Sequence, residues 1–190
     1  MDDKKIYLLP MGGVEAAYLD PLKCALTEVF SVPVETLPSE SLPEGTLHPR
    51  RGQYHSGRIL ISLSRSFPIN REHQRMLGIT EADLYAEGLN YIFGLADRKS
   101  GFGLISLARL RQGFYGLPPD EDLFQTRILK EAVHELGHTY GLYHCPHTAC
   151  VMHFSSSLKD TDDKSTLFCP DCRLKLLKRK APGKQNPKPA

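Results

Sequence analysis

The sequence predicts an α/β (α+β) fold, a mixed twisted sheet packed with helices. Three observations lead there. Strand-like and helix-like segments alternate through the first 110 residues, a long patterned helix follows at 117–141, and the chain beyond is irregular and holds four of the five cysteines. Alternation of this kind builds a mostly parallel or mixed sheet with helices laid on it. At 190 residues, with 41% apolar and 24% charged side chains, the chain can bury a real core.

Each element has its own local reason. "KKIYLLPMGG" is a short apolar run ended by a glycine turn, so it reads as a first strand. "EAAYLDPLKCALTEVF" has helical spacing, and "VPVETLP" reads as another strand. After the proline-rich "LPSESLPEGTLHPRRG", the segment "QYHSGRILISLSRSF" places Ile59, Leu60 and Leu63 on one helical face. "GITEADLYAEGLNYIFGLAD" suggests strand, turn, strand. "GFGLISLARL", Gly101 to Leu110, is a further strand whose imperfect alternation suits partial burial on both faces. Cys24 falls inside a helical apolar pattern and is expected to be a small buried hydrophobe.

"LPPDEDLFQTRILKEAVHELGHTYG" is the clearest element. Two prolines and the acids Asp120, Glu121 and Asp122 make a helix start that suits the macrodipole. Leu123, Ile128, Leu129, Ala132, Val133 and Leu136 give it an apolar stripe, and Gly141 is a natural stop. Beyond it the spacing shows no sustained period until a possible short helix after Cys172. Irregular chain of that length usually needs a metal or a disulfide to hold it.

The chemistry concentrates in "AVHELGHTYGLYHCPHTACVMHF". His134 and His138 are four apart, on one helical face and about 6 Å apart along the axis, so both imidazoles reach one ion. Glu135 lies about 100° around the helix, within reach of water at that ion but outside its ligand set. A helix that ran on would carry His144 about 15 Å beyond His134 and roughly 80° off its face. A break at Gly141 turns the chain back and brings His144 within reach. The pattern H-E-x-x-H-x-x-G-x-x-H is therefore complete in His134, Glu135, His138, Gly141 and His144. Cys145-x4-Cys150 and Cys169-x2-Cys172 supply four thiolates at metal-knuckle spacings. Four thiolates close a coordination sphere, so that ion is structural: zinc by preference, with iron the alternative. Consecutive side chains on extended chain point to opposite sides, so His144 and Cys145 can serve two different ions.

This motif, followed by Met152, resembles that of the metzincin metalloproteases, whose third histidine is followed by a methionine turn. The interleaved Cys145, Cys150, Cys169 and Cys172 narrow the resemblance to the archaemetzincins, small metzincins with a four-cysteine second zinc site. "LGITEADLYAEGLNYIFGLAD" and "GFGLISLARL" are also similar to that family's upstream segments. The resemblance implies a metzincin-like fold with an active-site helix and a small irregular, zinc-stapled C-terminal subdomain. Residues 1–180 would form one catalytic domain (upper subdomain 1–141, lower subdomain 142–180), with 181–190 a basic flexible tail. It implies two Zn2+ per chain: a catalytic one on His134, His138 and His144, and a structural one on Cys145, Cys150, Cys169 and Cys172. Glu135 would be the general base and Met152 an apolar floor beneath the metal. "GFGLISLARL" would be the edge strand that pairs with substrate.

The function that follows is a zinc-dependent metallopeptidase acting on peptide or protein substrates, with endopeptidase and aminopeptidase action both open. The alternative is a zinc-stabilised binding protein that contacts nucleic acid or a protein partner. Glu135 argues against it, because a purely structural three-histidine site needs no base. His153, beside Met152, either assists the oxyanion or is simply exposed.

Charge and targeting signals add limits. The start "MDDKKIYLLP" lacks the basic and apolar regions of a signal peptide, and no run approaches a membrane span, so a cytoplasmic protein with reduced thiols is expected. Residues 173–190 hold seven of the 24 Lys and Arg and no acid, leaving 17 against 22 acids, near −5, in the body. A solvated, frayed terminus is the expected reading of that stretch, and contact with nucleic acid is the less favoured one, since no aromatics interleave its charges.

Overall fold

The computed structural model describes residues 4–180. Five strands form the main sheet in the order β2-β1-β5-β8-β7: β1 Lys5–Met11, β2 Val34–Thr36, β5 Gln74–Thr80, β7 Gly94–Asp97 and β8 Phe102–Ser106. All neighbours pair in parallel except β7, which runs antiparallel to β8 at one edge. The first helices, α1 Ala16–Phe30 and α2 Ser56–Ser66, lie on opposite faces of this sheet. A smaller sheet joins β3 Leu47–His48, β4 Gln53–His55 and β6 Leu84–Tyr85. Two 3-10 turns, Ala108–Leu110 and Gln112–Tyr115, lead to α3 Glu121–Thr139, and the chain ends in α4 Leu158–Asp163 and α5 Pro170–Lys180.

The alternation of β1 divides two cores. Ile6 and Leu8 face α1 and α3, while Leu9 and Met11 face α2. A sheet covered on both faces explains why its strands read as nearly continuous apolar runs. β5 starts at Gln74, upstream of the strand expected from Gly78, because "QRML" pairs with the first half of β1, Lys5 to Leu8.

Four expectations need correction. "GFGLISLARL" is not one strand to Leu110, since β8 stops at Ser106 and a 3-10 turn follows. Nor is it an edge: β8 sits between β5 and β7, and β7 is the edge on that side. Cys24 is exposed, on the outer face of α1, whose buried positions are Leu19, Leu22, Leu26 and Phe30. The possible short helix after Cys172 is α5, and because its Leu176 is buried and Lys180 reaches the carbonyl of Phe30, residues 173–180 are not the frayed terminus also expected there. Residues 181–190 of the expected tail lie outside the described residues. No helix among the described residues is long and apolar enough to cross a membrane.

Candidate metal centres and cleft

α3 is fixed at both ends by its own sequence. Asp120 caps the start, its carboxylate accepting from the Leu123 amide at 2.9 Å. At the other end the Gly141 amide donates to His138 O at 2.8 Å and the Leu142 amide to Gly137 O at 3.0 Å, a Schellman closure with Gly141 at φ 86°. That turn sends the chain back along the helix. The second half of α3 is buried nearly all round, between the sheet and residues 142–169, rather than along a single stripe.

The reversal brings His134, His138 and His144 together, with one ring nitrogen from each inside a span of 4.8 Å. The rings lie at centroid separations of 4.6, 5.3 and 4.8 Å. His134 Nδ1 lies 2.8 Å from Val151 O and His138 Nδ1 lies 2.8 Å from Leu142 O. A carbonyl only accepts, so both Nδ1 atoms carry the proton and both Nε2 lone pairs are left for an ion; those two Nε2 atoms are 3.1 Å apart. Burial lowers the pKa of all three, His134 well below its ordinary value and His138 to about 4, which keeps the imidazoles neutral as ligation requires. The donor set fits a zinc ion with an open position.

Glu135 is held against the edge of the sheet. A Cβ on Gly94 of β7 would stand 2.5 Å from Glu135 Oε1, and one on Gly103 of β8 would stand 3.4 Å from Glu135 Cβ. Glycine at those two strand positions makes the room. Burial, with Glu131 one turn back, raises the Glu135 pKa well above its ordinary value, against the opposing pull of Lys164. Lys164 is fully buried and pairs with Glu131 at 2.8 Å. Around this pair Arg127 binds Asp162 through two bonds of 2.7 Å, and Lys130 donates to the carbonyls of Thr161 and Asp162. These residues latch the end of α4 to α3. None of them was singled out by sequence, although Arg127, Lys130 and Glu131 recur at helical spacing with His134.

Met152 is fully buried, its sulfur packed on Gly137 of α3. The Cys145 amide donates to Met152 O at 2.9 Å, so the segment carrying His144 is tied to the methionine turn. Cys145, Cys150, Cys169 and Cys172 place their sulfurs within 4.8 Å of one another, and the Cys169 amide donates to Cys150 Sγ at 3.3 Å. Burial pushes the Cys150 and Cys172 thiols up. Cys169 shifts down, because backbone and thiol hydrogen bonds outweigh its burial. Crowded thiols that resist further deprotonation are the donor set a closed thiolate-binding cation satisfies. His153 Nδ1 sits 3.0 Å from Cys145 O, which bends the ring onto the cysteine loop.

A cleft of about 680 Å³ opens over the histidines. β7 forms one wall, with Tyr143, His144 and Phe154 opposite, and Glu135 and Glu131 lie at its floor.

The sequence pattern of peptidase family M54 matches residues 60–179. The archaemetzincin of Methanocaldococcus jannaschii is 44% identical over 175 residues, covering 92% of this chain and 94% of its own. The crystal structure of the archaemetzincin from Methanopyrus kandleri superposes with a TM-score of 0.81 at 37% identity, over 94% of this chain and 96% of that one. The crystal structure of a zinc-dependent peptidase from Methanocorpusculum labreanum gives 0.83 at 30% identity, over 90% and 99%.

Proposed function

The chain belongs to peptidase family M54, the archaemetzincins, and is a metalloprotease; we propose that it hydrolyses peptide bonds at the histidine cluster with Glu135 as general base. The single observation that carries this reading is the convergence of three neutral imidazoles beside one buried carboxylate at the floor of an open cleft.

His134, His138 and His144 would hold the catalytic zinc. When bound, that ion supplies a polarising charge for the peptide carbonyl and for attacking water. Glu135 accepts the proton of the attacking water and delivers it to the leaving amine. Its raised pKa makes it a stronger base than an exposed glutamate and a usable acid on return. The Nδ1 bonds to Val151 O and Leu142 O fix the two helical imidazoles in orientation. The edge strand that a substrate backbone can extend is β7, which lines the cleft.

Cys145, Cys150, Cys169 and Cys172 would hold a second, structural zinc. Such a site requires four reduced thiols, which fits work in a reducing compartment such as the cytoplasm. In this reading residues 1–141 are the upper subdomain of one catalytic domain and 142–180 its zinc-stapled lower subdomain. Met152 is the floor beneath the metal and Gly141 the turn that delivers His144. His153 braces the cysteine loop through Cys145 O rather than meeting substrate.

Glu135→Ala tests the proposal. The variant should keep its metal and lose about 10²–10⁴-fold in hydrolysis of a peptide library. Hydrolysis at the wild-type rate would refute the assignment.

A further inference from the structure

The walls of the cleft carry information about its substrate. They are mostly apolar, with Leu89, Ile92 and Leu95 on the β7 side and Tyr143 and Phe154 opposite. Three charged side chains line it. Glu131 and Glu135 lie deep beside the histidines, and Glu131 is already paired with Lys164. The third is Arg98, in the turn after β7.

Arg98 is exposed, and its guanidinium carbon stands 4.0 Å from the centroid of the Tyr143 ring. This stack spans the cleft, from the β7–β8 turn to the segment that follows Gly141. A guanidinium stacked by its face keeps its in-plane N–H groups for a ligand. Among the described residues Arg98 has no carboxylate partner. Its neighbour Asp97 makes no ion pair with it and instead accepts from the amides of Lys99 and Ser100. Arg109, Arg111 and Arg127, by contrast, are each paired with an acid. A second depression shares Tyr143 and His144 with the cleft and runs along the cysteine cluster, lined by Lys175, Arg179 and Asp171. Arg98 is thus the one Lys or Arg side chain among the residues that line the cleft.

We propose that the cleft selects peptides with a carboxylate on the side of the scissile bond that lies toward Arg98, held by the guanidinium stacked on Tyr143. This rests on the peptidase reading and names its substrate class. The carboxylate is either an acidic side chain or the peptide's own C-terminus.

Matched peptides test it. Glu is exchanged for Gln at each position on both sides of the cleaved bond, and free C-termini are compared with amidated ones. In the wild type, kcat/KM should favour the acid by about tenfold at one position on one side. Arg98→Gln should bring the paired peptides close to equality, and Arg98→Glu should favour Lys at the same position. A ratio taken within one variant is independent of how much of it is folded and metal-loaded. A gain confined to Glu assigns the site to a side chain, and one confined to the free terminus assigns it to the chain end. Equal rates for acid and amide in the wild type, or an acid preference that survives in Arg98→Gln, would overturn the proposal while leaving the peptidase reading intact. If no peptide were cleaved in a Glu135-dependent way, the peptidase reading itself would fail and this proposal with it.

Discussion

The histidine cluster and the cysteine cluster meet at adjacent residues, His144 and Cys145, and are built by opposite means. Two of the three histidines stand on a helix that is capped, buried and packed on the sheet by its own side chains. The four cysteines come from irregular chain and the start of α5. The first region is positioned by a core that stands beside it. The second is ordered by the Cys145–Met152 hydrogen bond and the polar latch to α3, and under the proposed function by a metal on its four thiolates. Loss of a histidine should therefore disable chemistry and spare the fold, whereas loss of a cysteine should damage the fold and, through it, the chemistry.

The sharpest way to break that contrast is Cys172→Ser. Structural zinc contributes on the order of 10 kcal/mol to small folds that depend on it. This variant is expected to melt residues 142–180 and to lower metal occupancy at the histidines without touching a histidine. Calorimetry with metal analysis reads both, and an unchanged metal content would end the comparison. Lys164→Met comes next. It leaves Glu131 buried without its cation, at a cost of about 3–5 kcal/mol in unfolding free energy by denaturant titration. A loss well under that would mean the latch is not what holds the lower segment to α3.

The metal-ligand candidates were legible because their spacing is local: His134, His138, Gly141 and His144 sit within eleven residues, and a helix followed by one turn suffices to converge them. The order of the sheet was not, since two adjacent apolar runs do not say which is outermost, and β7 took the edge expected of β8. The buried charges were hidden for a similar reason. Arg127, Lys130 and Glu131 find their partners 30 to 35 residues away, at Thr161, Asp162 and Lys164. α4 itself is a six-residue helix started by a Ser157–Asp160 capping box, too short to show a period.

Smaller changes refine the contrast. Gly141→Ala puts a Cβ at a positive φ and 2.6 Å from Arg179 Nη1; about 1–3 kcal/mol of stability should be lost. Peptidase activity should fall further than stability alone requires, because the turn delivers His144. If activity per folded molecule is unchanged, the turn is not needed to place that ligand. Ser157→Ala removes the α4 cap and should cost about 1 kcal/mol with activity retained. A large activity loss there would show that the lower segment reaches the chemistry directly.

The most direct measurement is native mass spectrometry of the intact chain during chelator titration, with peptide hydrolysis followed in parallel. Two zinc ions per chain are expected, the first removed from the histidines together with all hydrolysis, while the second stays and the chain remains folded. A single ion per chain, or hydrolysis that outlasts the first loss, would contradict the account.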